Sequence, residues 1–355
     1  MSSKLAVVVG ARPQFIKLSP LFEILRGKVD LIIVHTGQHY DFEMSELFFD
    51  QLHLPSPDYF LGIGSANNTI QTARMLIELD RVFAKENPAA VIVIGDTNST
   101  LAGALAAAQR NLPLVHIEAG LRSKDKRIPE QINRVVTDRL SDLLCCPTRA
   151  SVRNLEIEGI VDGAYLTGDI LYDLVEKVRP SAESAADIAR KYGLQPEKFF
   201  YLTAHRAGNV DNVEFLTMLV NGLHRLPAEV IFPIHPRTLK NFVDSGLYEK
   251  LTAIPNVKIS RPIGVVESLG LVQVALGVIT DSGGLQREAA YFGKITWLLR
   301  DETEWIELAK CGSVVCGGAE LPPEDFDWRR RFSPGADYFR RAASSIAELI
   351  LQKMV

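Results

Sequence analysis

The chain has 355 residues, of which 47% are hydrophobic, and its 39 Lys and Arg residues against 43 Asp and Glu residues give a formal net charge of −4. This length predicts two domains of roughly 150 to 200 residues each. The acidic balance excludes a general nucleic-acid surface, since phosphate-backbone binding needs a basic excess or a clustered basic face, and no apolar run reaches the ~18 residues that cross a bilayer. We therefore expect a globular protein without nucleic-acid or membrane partners, in which local basic residues bind any anionic ligand.

The N-terminus and the cysteines exclude two further classes. The opening MSSKLAVVVGARP contains an apolar stretch that ends at Gly10, which predicts a buried strand and not a signal peptide. The 4 cysteines form no C-x-x-C pair, and Cys145 is adjacent to Cys146 in a predicted strand. Neither a disulfide framework nor a zinc site is expected, and a reducing cytoplasm is the predicted location.

Short apolar, β-branched runs alternate with helical patterns along the whole chain. In the first half they occupy residues 5–9, 30–35, 90–95, 112–117, 142–146 and 164–168. In the second half they occupy residues 199–204, 230–234, 257–261, 276–280, 295–299 and 313–316. Strands that alternate with helices predict a parallel sheet covered on both faces. The predicted fold class is therefore α/β, with two Rossmann-like doubly wound parallel-sheet domains.

A helix, a Pro-Ser break and a second helix separate the two series of strands, between residues 169 and 193. We place the domains at 1–170 and 171–337 on either side of this hinge. Apolar spacing from 338 to 355 predicts a closing helix. Its sequence does not say which domain it packs against, and a return to the first domain is the arrangement we carry forward.

Polar clusters follow many of the predicted strands, at the carboxyl ends where open α/β sheets bind their ligands. They read GARPQFIK (10–17), GDTNS (95–99), EAGLRS (118–123), HRAGN (205–209), HPR (235–237), RPIG (261–264) and DSGG (281–284). Because they are divided between two domains, they predict an interdomain cleft that holds a large polar ligand.

The turn TDSGGLQRE (280–288) has the features of a diphosphate site. A strand ends there at an Asp, a Ser and two glycines, which exposes the N–H groups of the next helix. Phosphates would rest on Ser282, Gly283 and Gly284, and Glu288 lies where it can accept hydrogen bonds from a ribose. A Ser-Gly-Gly turn alone is commonly only a connection, so the prediction depends on the other clusters.

Basic side chains at the other strand ends are candidate phosphate or sugar contacts. A guanidinium can bind a phosphate through two hydrogen bonds, and a lysine supplies a mobile charge. The candidates are Arg12 and Lys17 in the first domain and His205, Arg206, His235, Arg237 and Arg261 in the second. Each of them alone could equally be a structural or solvated residue at the start of a helix.

Three acids, Asp96, Glu118 and Glu130, are predicted to converge on the ligand face of the first domain. Carboxylates held close together raise one another's pKa, which supplies a general base and a general acid near pH 7. The alternatives are a helix cap for Asp96 and a first-turn helix residue for Glu130, each worth about 1 kcal/mol or less. No metal-ligand spacing, G-x-S-x-G elbow or G-x-G-x-x-G turn accompanies these acids, so a metal, a serine nucleophile and NAD are not predicted.

Taken together with PEQINR (129–134), these motifs resemble the non-hydrolysing UDP-N-acetylglucosamine 2-epimerase family, from about residue 6 to about residue 317. The stretch LRDETEWIE (299–307) resembles the branch that acts on UDP-2,3-diacetamido-2,3-dideoxyglucuronate more than the UDP-N-acetylglucosamine branch. The resemblance implies glycosyltransferase-B-like domains and a UDP-sugar substrate. It also implies no metal or redox cofactor, and a homodimer that serves bacterial surface polysaccharide synthesis.

The resemblance further implies inversion at sugar carbon two, by anti elimination of UDP to a glycal and re-addition of UDP. By motif position, the acid/base residues are Asp96, Glu118 and Glu130, with Lys17 and His205 in the catalytic set. Arg12, Lys17, His205, Ser282 and Gly283 match residues around the diphosphate, and Glu288 matches the ribose ligand.

The chain departs from the family pattern at three places. Gln131 follows Glu130 where paired glutamates are usual, Gly208 replaces an acid after the His-Arg motif, and GQHYDFE (37–43) stands where the bacterial UDP-N-acetylglucosamine branch forms an activator pocket. The second departure puts one supporting contact in doubt, and the third puts activation by a second substrate molecule in doubt. The alternatives are a UDP-N-acetylglucosamine 2-epimerase of the non-hydrolysing or hydrolysing kind, a UDP-sugar glycosyltransferase of the same fold, and a non-catalytic sugar-nucleotide sensor.

Overall fold

The computed structural model describes residues 3–38, 54–335 and 338–355, and for Arg12 it describes the backbone only. The predictions for the Arg12 side chain and for residues 39–43 of GQHYDFE therefore lie outside the described part. The chain forms two compact units, one of Met1–Leu174 with Asp337–Val355 and one of Val175–Ala336. In the described residues, no helix has both the length and the apolar character needed to cross a membrane.

The first unit is built on a parallel sheet with strand order β3-β2-β1-β4-β5-β6-β7. Its strands are β1 (Lys4–Val9), β2 (Asp30–His35), β3 (Tyr59–Phe60), β4 (Ala90–Ile94), β5 (Leu114–Ile117), β6 (Leu143–Cys146) and β7 (Ala164–Leu166). Its helices are α1 (Arg12–Leu25), α2 (Asn68–Glu86), α3 (Asn98–Gln109), α4 (Pro129–Leu140), α5 (Arg149–Ile157) and the start of α6 (Ile170–Val178). The strand order changes direction between β1 and β4, which is the position where such sheets bind ligands.

The second unit repeats this plan with strand order β10-β9-β8-β11-β12-β13. Its strands are β8 (Phe199–Thr203), β9 (Glu229–Pro233), β10 (Val257–Ser260), β11 (Gly277–Thr280), β12 (Thr296–Leu298) and β13 (Val314–Cys316). Its helices are α7 (Ala182–Lys191), α8 (Ala207–Val210), α9 (Val213–Leu223), α10 (Pro236–Asp244), α11 (Tyr248–Thr252), α12 (Val265–Val274), α13 (Gly283–Tyr291) and α14 (Ile306–Lys310). The direction changes between β8 and β11, which precede the HRAGN and DSGG motifs.

Continuous apolar strands form the cores because both faces of each sheet are covered. In β8, Phe200 and Leu202 pack into the core on one face, whereas Phe199 and Tyr201 pack into the core on the other. Parallel sheets bury both faces in this way, which explains why the strands lack polar alternation. The predicted α/β class with two doubly wound parallel sheets is confirmed.

The closing helix α15 (Ala343–Lys353) packs on α1 of the first unit. The carboxylate of Asp173 accepts hydrogen bonds from the backbone N–H groups of Ala342 at 2.7 Å and Ala343 at 3.2 Å. These bonds satisfy donors that the first turn of a helix leaves unpaired. Burial raises the pKa of Asp173.

Two local predictions differ from the structure. β3 was not predicted, because it has only two residues, Tyr59 and Phe60, and pairs with the last two residues of β2. The closing helix begins at residue 343 and not at 338. The prediction started too early because it counted Tyr338 as a residue of the helix. Its ring instead packs against Tyr172, with 6.1 Å between centroids.

His35, at the end of β2, predicts an acid-dependent loss of stability. Its ring is enclosed by Phe15 and Phe60, with centroids 4.8 and 4.9 Å away, and burial lowers its pKa from 6.5 to about 4. Between these values the unfolded chain binds a proton that the folded chain does not, so the free energy of unfolding falls as the pH falls from 6.5 to 4, by up to about 3 kcal/mol.

Urea unfolding of the wild type and of His35→Asn, which keeps an acceptor for the Gly37 N–H group, measures this effect. We expect the variant to lose less stability than the wild type over the same pH range. Carboxylates titrate alike in both proteins and cancel in the comparison. Equal pH slopes for the two proteins would contradict the prediction.

Candidate active site

The turn between β1 and α1 is held rigidly at the carboxyl edge of the first sheet. The buried amide of Gln14 accepts hydrogen bonds from Gly10 N at 2.8 Å and Ala11 N at 3.0 Å, and donates one to the Ile94 carbonyl at 2.8 Å. A Cβ atom at Gly10 would lie 2.0 Å from the Thr36 hydroxyl oxygen, so only glycine fits. The first turns of α1 are thereby fixed against β4.

Lys17 of α1 and Glu118 after β5 form an ion pair at this edge. Lys17 Nζ donates to Glu118 Oε2, and each side chain is only 10% exposed. Glu118 has a left-handed backbone with φ of 74°, which disfavours any residue with a Cβ atom. A glutamate kept in such a conformation is a reason to suspect function.

Asp96, which follows β4, is anchored by helix α4. Arg134 Nη2 donates to Asp96 Oδ2 at 2.5 Å, and Asn133 Nδ2 donates to the Asp96 carbonyl at 2.8 Å. The helix-cap alternative for Asp96 is wrong, because Thr97 caps α3 by accepting from Thr100 N at 3.3 Å. The sequence offered no partner for Asp96, although Arg134 was present in the PEQINR motif.

Glu130 lies half-buried in the first turn of α4, directly after Pro129. It precedes Arg134 by four residues, so the two project from the same face of the helix. The structure therefore brings Asp96 and Glu118 to the ends of adjacent strands and places Glu130 on the helix that anchors Asp96. Each of these two acids is paired with its own cation, Asp96 with Arg134 and Glu118 with Lys17. The sequence analysis had expected the acids to lie beside one another instead.

In the second unit, Asp281 shapes the HRAGN loop. Its carboxylate is fully buried and accepts from His205 N at 3.0 Å, Arg206 N at 2.8 Å and Asn209 Nδ2 at 3.3 Å. His205 Nδ1 also lies 3.2 Å from Asp281 Oδ1, while the His205 side chain is 42% exposed. A residue that the sequence analysis did not select thus positions His205 and Arg206.

The DSGG turn begins helix α13 as predicted. Ser282 is its N-cap, and the hydroxyl oxygen accepts from Leu285 N at 3.3 Å. A Cβ atom at Gly283 would lie 2.7 Å from Glu304 Oε1, whereas at Gly284 it would meet only the Ser282 hydroxyl oxygen at 3.8 Å. A side chain at Gly283 would have to displace the Glu304 carboxylate, whereas the space beside Gly284 is open.

The LRDETEWIE stretch packs directly on this turn. The Thr303 hydroxyl donates to Gln286 Oε1 at 2.7 Å, and the Arg287 guanidinium lies 4.0 Å from the centre of the Trp305 ring. Arg300 and Glu304 form an ion pair at 2.9 Å. The segment that suggested a substrate branch thus supports the first turns of α13, where Glu288 lies half-buried.

The remaining basic candidates differ in their surroundings. His205 and His235 lie together, with ring centroids 6.2 Å apart. Arg237 instead donates to Asp211 on the same unit, at 2.9 Å from Nε to Oδ1, and this arginine lowers the pKa of Asp211. Arg261 is exposed after β10. In the described residues, no group of three His, Cys, Asp or Glu side chains is placed to hold a metal ion.

Comparison with known proteins identifies the family. The sequence profile of the UDP-N-acetylglucosamine 2-epimerase family matches residues 24–322. The chain belongs to this family. Within it, the chain is 44% identical to a UDP-N-acetylglucosamine 2-epimerase homolog of Methanococcus maripaludis, over 89% of each chain. It is also 44% identical to the UDP-2,3-diacetamido-2,3-dideoxy-D-glucuronate 2-epimerase of Pseudomonas aeruginosa, over 89% of this chain and 88% of that one.

Solved structures agree with this assignment. The UDP-GlcNAc 2-epimerase of Methanocaldococcus jannaschii, crystallised with UDP-GlcNAc and UDP, gives a TM-score of 0.89 at 37% identity, over 98% of this chain and 99% of that one. The Phytolacca americana glycosyltransferase UGT2 gives a TM-score of 0.55 at 11% identity, over 100% of this chain and 94% of that one, and shares the fold alone. The predicted family and the glycosyltransferase-B-like fold are confirmed, and this epimerase-family chain is an isomerase.

Proposed function

We propose that this epimerase inverts carbon two of a UDP-N-acetyl-hexosamine, with UDP-2,3-diacetamido-2,3-dideoxyglucuronate as the preferred substrate and its manno epimer as the product. The observation that carries the proposal is the cluster of Asp96, Glu118 and Glu130 around the carboxyl edge of the first sheet, in a chain 44% identical to an epimerase of that sugar. The homodimer and the role in surface polysaccharide synthesis remain predictions.

The reaction needs a base, an acid and a good leaving group. A carboxylate removes the carbon-two proton while the bond between carbon one and the UDP oxygen breaks, which leaves a glycal and UDP. Proton delivery to the opposite face of carbon two and renewed attack of UDP on carbon one give the epimer. Asp96, Glu118 and Glu130 are the proposed acid/base residues, since a proton must be removed from one face of carbon two and delivered to the other.

The leaving diphosphate needs positive charge and N–H donors where its charge develops. In the second unit, the start of α13 presents N–H groups at Gly283 and Gly284, and Asp281 holds His205 and Arg206 beside β8. In the first unit, Lys17 supplies a cation at the sheet edge. We assign Ser282, Gly283, Gly284 and His205 to the diphosphate and Glu288 to the ribose.

The preference for the diacetamido uronate is supported by residues 299–307. This stretch carried the resemblance to that branch, and it packs against the first turns of α13 through Thr303 and Trp305. It therefore lies directly behind the turn to which we assign UDP. Arg237, whose guanidinium is paired with Asp211, is not among the residues that we assign to the diphosphate.

A panel of UDP-sugars in deuterated water, followed by proton NMR, tests the function and the substrate together. We expect deuterium at carbon two of both epimers and the fastest turnover for the diacetamido uronate. Faster turnover of UDP-N-acetylglucosamine would overturn the substrate assignment only. Steady accumulation of free UDP would indicate the hydrolysing reaction, and ligand binding without any exchange would overturn the epimerase.

A further inference from the structure

A fully buried histidine lies behind the proposed acid/base residues of the first unit. His116 is in β5, and its side chain is 0% exposed. Its Nδ1 lies 2.6 Å from Asp138 Oδ1, and its Nε2 lies 2.8 Å from the carbonyl oxygen of Gly95. Both ring nitrogens are therefore hydrogen-bonded inside the fold, and neither can reach a substrate.

The two partners of the ring determine where its hydrogen atoms lie. A carbonyl oxygen can only accept, so Nε2 carries a hydrogen atom. Burial opposes ionisation of Asp138, but its Oδ2 accepts a hydrogen bond from the Arg122 guanidinium at 2.6 Å, and the neighbouring His116 and Arg122 lower the pKa of this carboxyl. Asp138 is then a carboxylate, which also only accepts. The bonding pattern therefore requires a hydrogen atom on both ring nitrogens of His116.

The second oxygen of Asp138 reaches the turn that follows β5. Asp138 Oδ2 accepts from Gly120 N at 3.1 Å, two residues beyond Glu118. The ring of His116 meanwhile holds the carbonyl of the residue directly before Asp96. The buried pair therefore contacts both turns that carry the proposed acid residues.

Both turns have a backbone that needs external support. The φ angles are 71° at Gly95, 74° at Glu118 and 78° at Gly120, all in the left-handed region. Glycine adopts this region freely, but Glu118 does so at a cost. Such a conformation persists only where surrounding contacts hold it. The hydrogen bonds of His116 and Asp138 contribute to that support, together with the Cys145 carbonyl, which accepts from Glu118 N and Ala119 N at 3.1 Å each.

Helix α4 also supports the two turns that carry Asp96 and Glu118. Arg134 and Asp138 are four residues apart on α4, so they project from one face. Arg134 holds the Asp96 carboxylate, whereas Asp138 holds His116 and the turn after Glu118. One helix therefore contacts both strand ends, which are also joined by the hydrogen bond from Gly95 N to the Ile117 carbonyl at 2.9 Å.

The geometry points to His116 as a positioning residue for epimerisation, a role that rests on the proposed function: as a buried ring hydrogen-bonded to both Asp138 and Gly95, it helps to keep the Asp96 and Glu118 turns in one fixed register. Both carboxylates then address the same sugar ring. His116 itself does not contact the substrate. Its contribution is to kcat, because misplacing a reacting group by about 1 Å can cost about 100-fold.

Two matched variants separate the two hydrogen bonds. His116→Asn places an amide nitrogen near the position of Nδ1 and keeps the bond to Asp138, whereas His116→Gln places one near Nε2 and keeps the bond to Gly95. We expect each variant to lose about 10- to 100-fold in kcat and in carbon-two deuterium exchange, with KM and UDP affinity unchanged. His224→Asn, an exposed histidine at the end of α9, controls for the substitution itself.

A purely structural brace would lower the melting temperature without changing kcat per folded molecule, and wild-type kcat in either folded variant would overturn the proposal. If neither variant folds, nitrogen-15 NMR of the histidine rings in the wild type decides. We expect His116 to show hydrogen atoms on both ring nitrogens at neutral pH, and one bare nitrogen would overturn the proposal. A wild type with both ring hydrogens but no epimerisation of any UDP-sugar would contradict the proposed function instead.

Discussion

Glu118→Gln is expected to lower kcat by about 100- to 10,000-fold, which is the usual contribution of a positioned general acid or base. The amide keeps the size of the side chain and can still accept a hydrogen bond from Lys17, but it cannot take a proton from carbon two. The diphosphate contacts in the second unit are untouched, and Lys17 keeps its charge but loses a charged partner, so UDP affinity should not fall. Single-turnover epimerisation and titration with UDP measure the two quantities separately.

Glu86→Gln is the matched control for this variant. Glu86 also pairs with a lysine in the first unit, since Lys4 Nζ donates to it at 2.9 Å, but Lys4 begins β1 and lies at the opposite end of the sheet. The same chemical change there should leave kcat intact. Equal losses in both variants would mean that Glu118 acts through stability, and full activity of Glu118→Gln would remove it from the acid/base set.

The sheets and the positions of the polar clusters could be predicted because they depend on local patterns. Apolar runs that end in glycine and polar residues reveal a strand and its carboxyl end, whatever the order of strands in the sheet. The DSGG turn is such a case, since its strand, cap and helix are consecutive in the sequence. Family resemblance then supplied the roles that these clusters have in related enzymes.

The pairing of side chains could not be predicted because it depends on strand order. Lys17 and Glu118 are 101 residues apart, and they meet only because β4 and β5 lie beside β1 in that order. A Cβ atom at Gly95, at the end of β4, would lie 3.6 Å from Lys17 Nζ, so the lysine passes directly over that strand end. Alternation of strands and helices contains no information about this neighbourhood.

The structural role of Asp281 could have been predicted from the sequence, although the sequence analysis did not select this residue. It follows the buried strand Gly277–Thr280 and begins a turn in which Ser282 and two glycines follow, so burial of its carboxylate could have been expected. A buried carboxylate needs several donors, and the nearest source was the HRAGN loop after the adjacent strand. The expected phosphate site at the DSGG turn did not include the hydrogen-bond donors that the buried Asp281 carboxylate needs.

Asp281→Asn is expected to weaken UDP binding about 10- to 100-fold. The carboxylate accepts from His205 N and Arg206 N, whereas an amide presents one acceptor and would turn its NH₂ group toward some of these donors. Bonds to a charged group are worth about 1.5 to 3 kcal/mol each, which is the source of the expected loss. Calorimetric titration with UDP measures the affinity, and hydrogen exchange at the His205 and Arg206 amides reports whether the loop opens.

Asp211→Asn makes the same chemical change on an exposed pair and is the matched control. Asp211 and Arg237 are 46% and 49% exposed, and such surface pairs contribute about 1 kcal/mol or less. We therefore expect little loss of UDP affinity and unchanged amide exchange in the HRAGN loop. If Asp211→Asn tightened UDP binding, release of Arg237 toward the diphosphate would explain it. If Asp281→Asn bound UDP as the wild type does, the buried carboxylate would not be what organises the phosphate site.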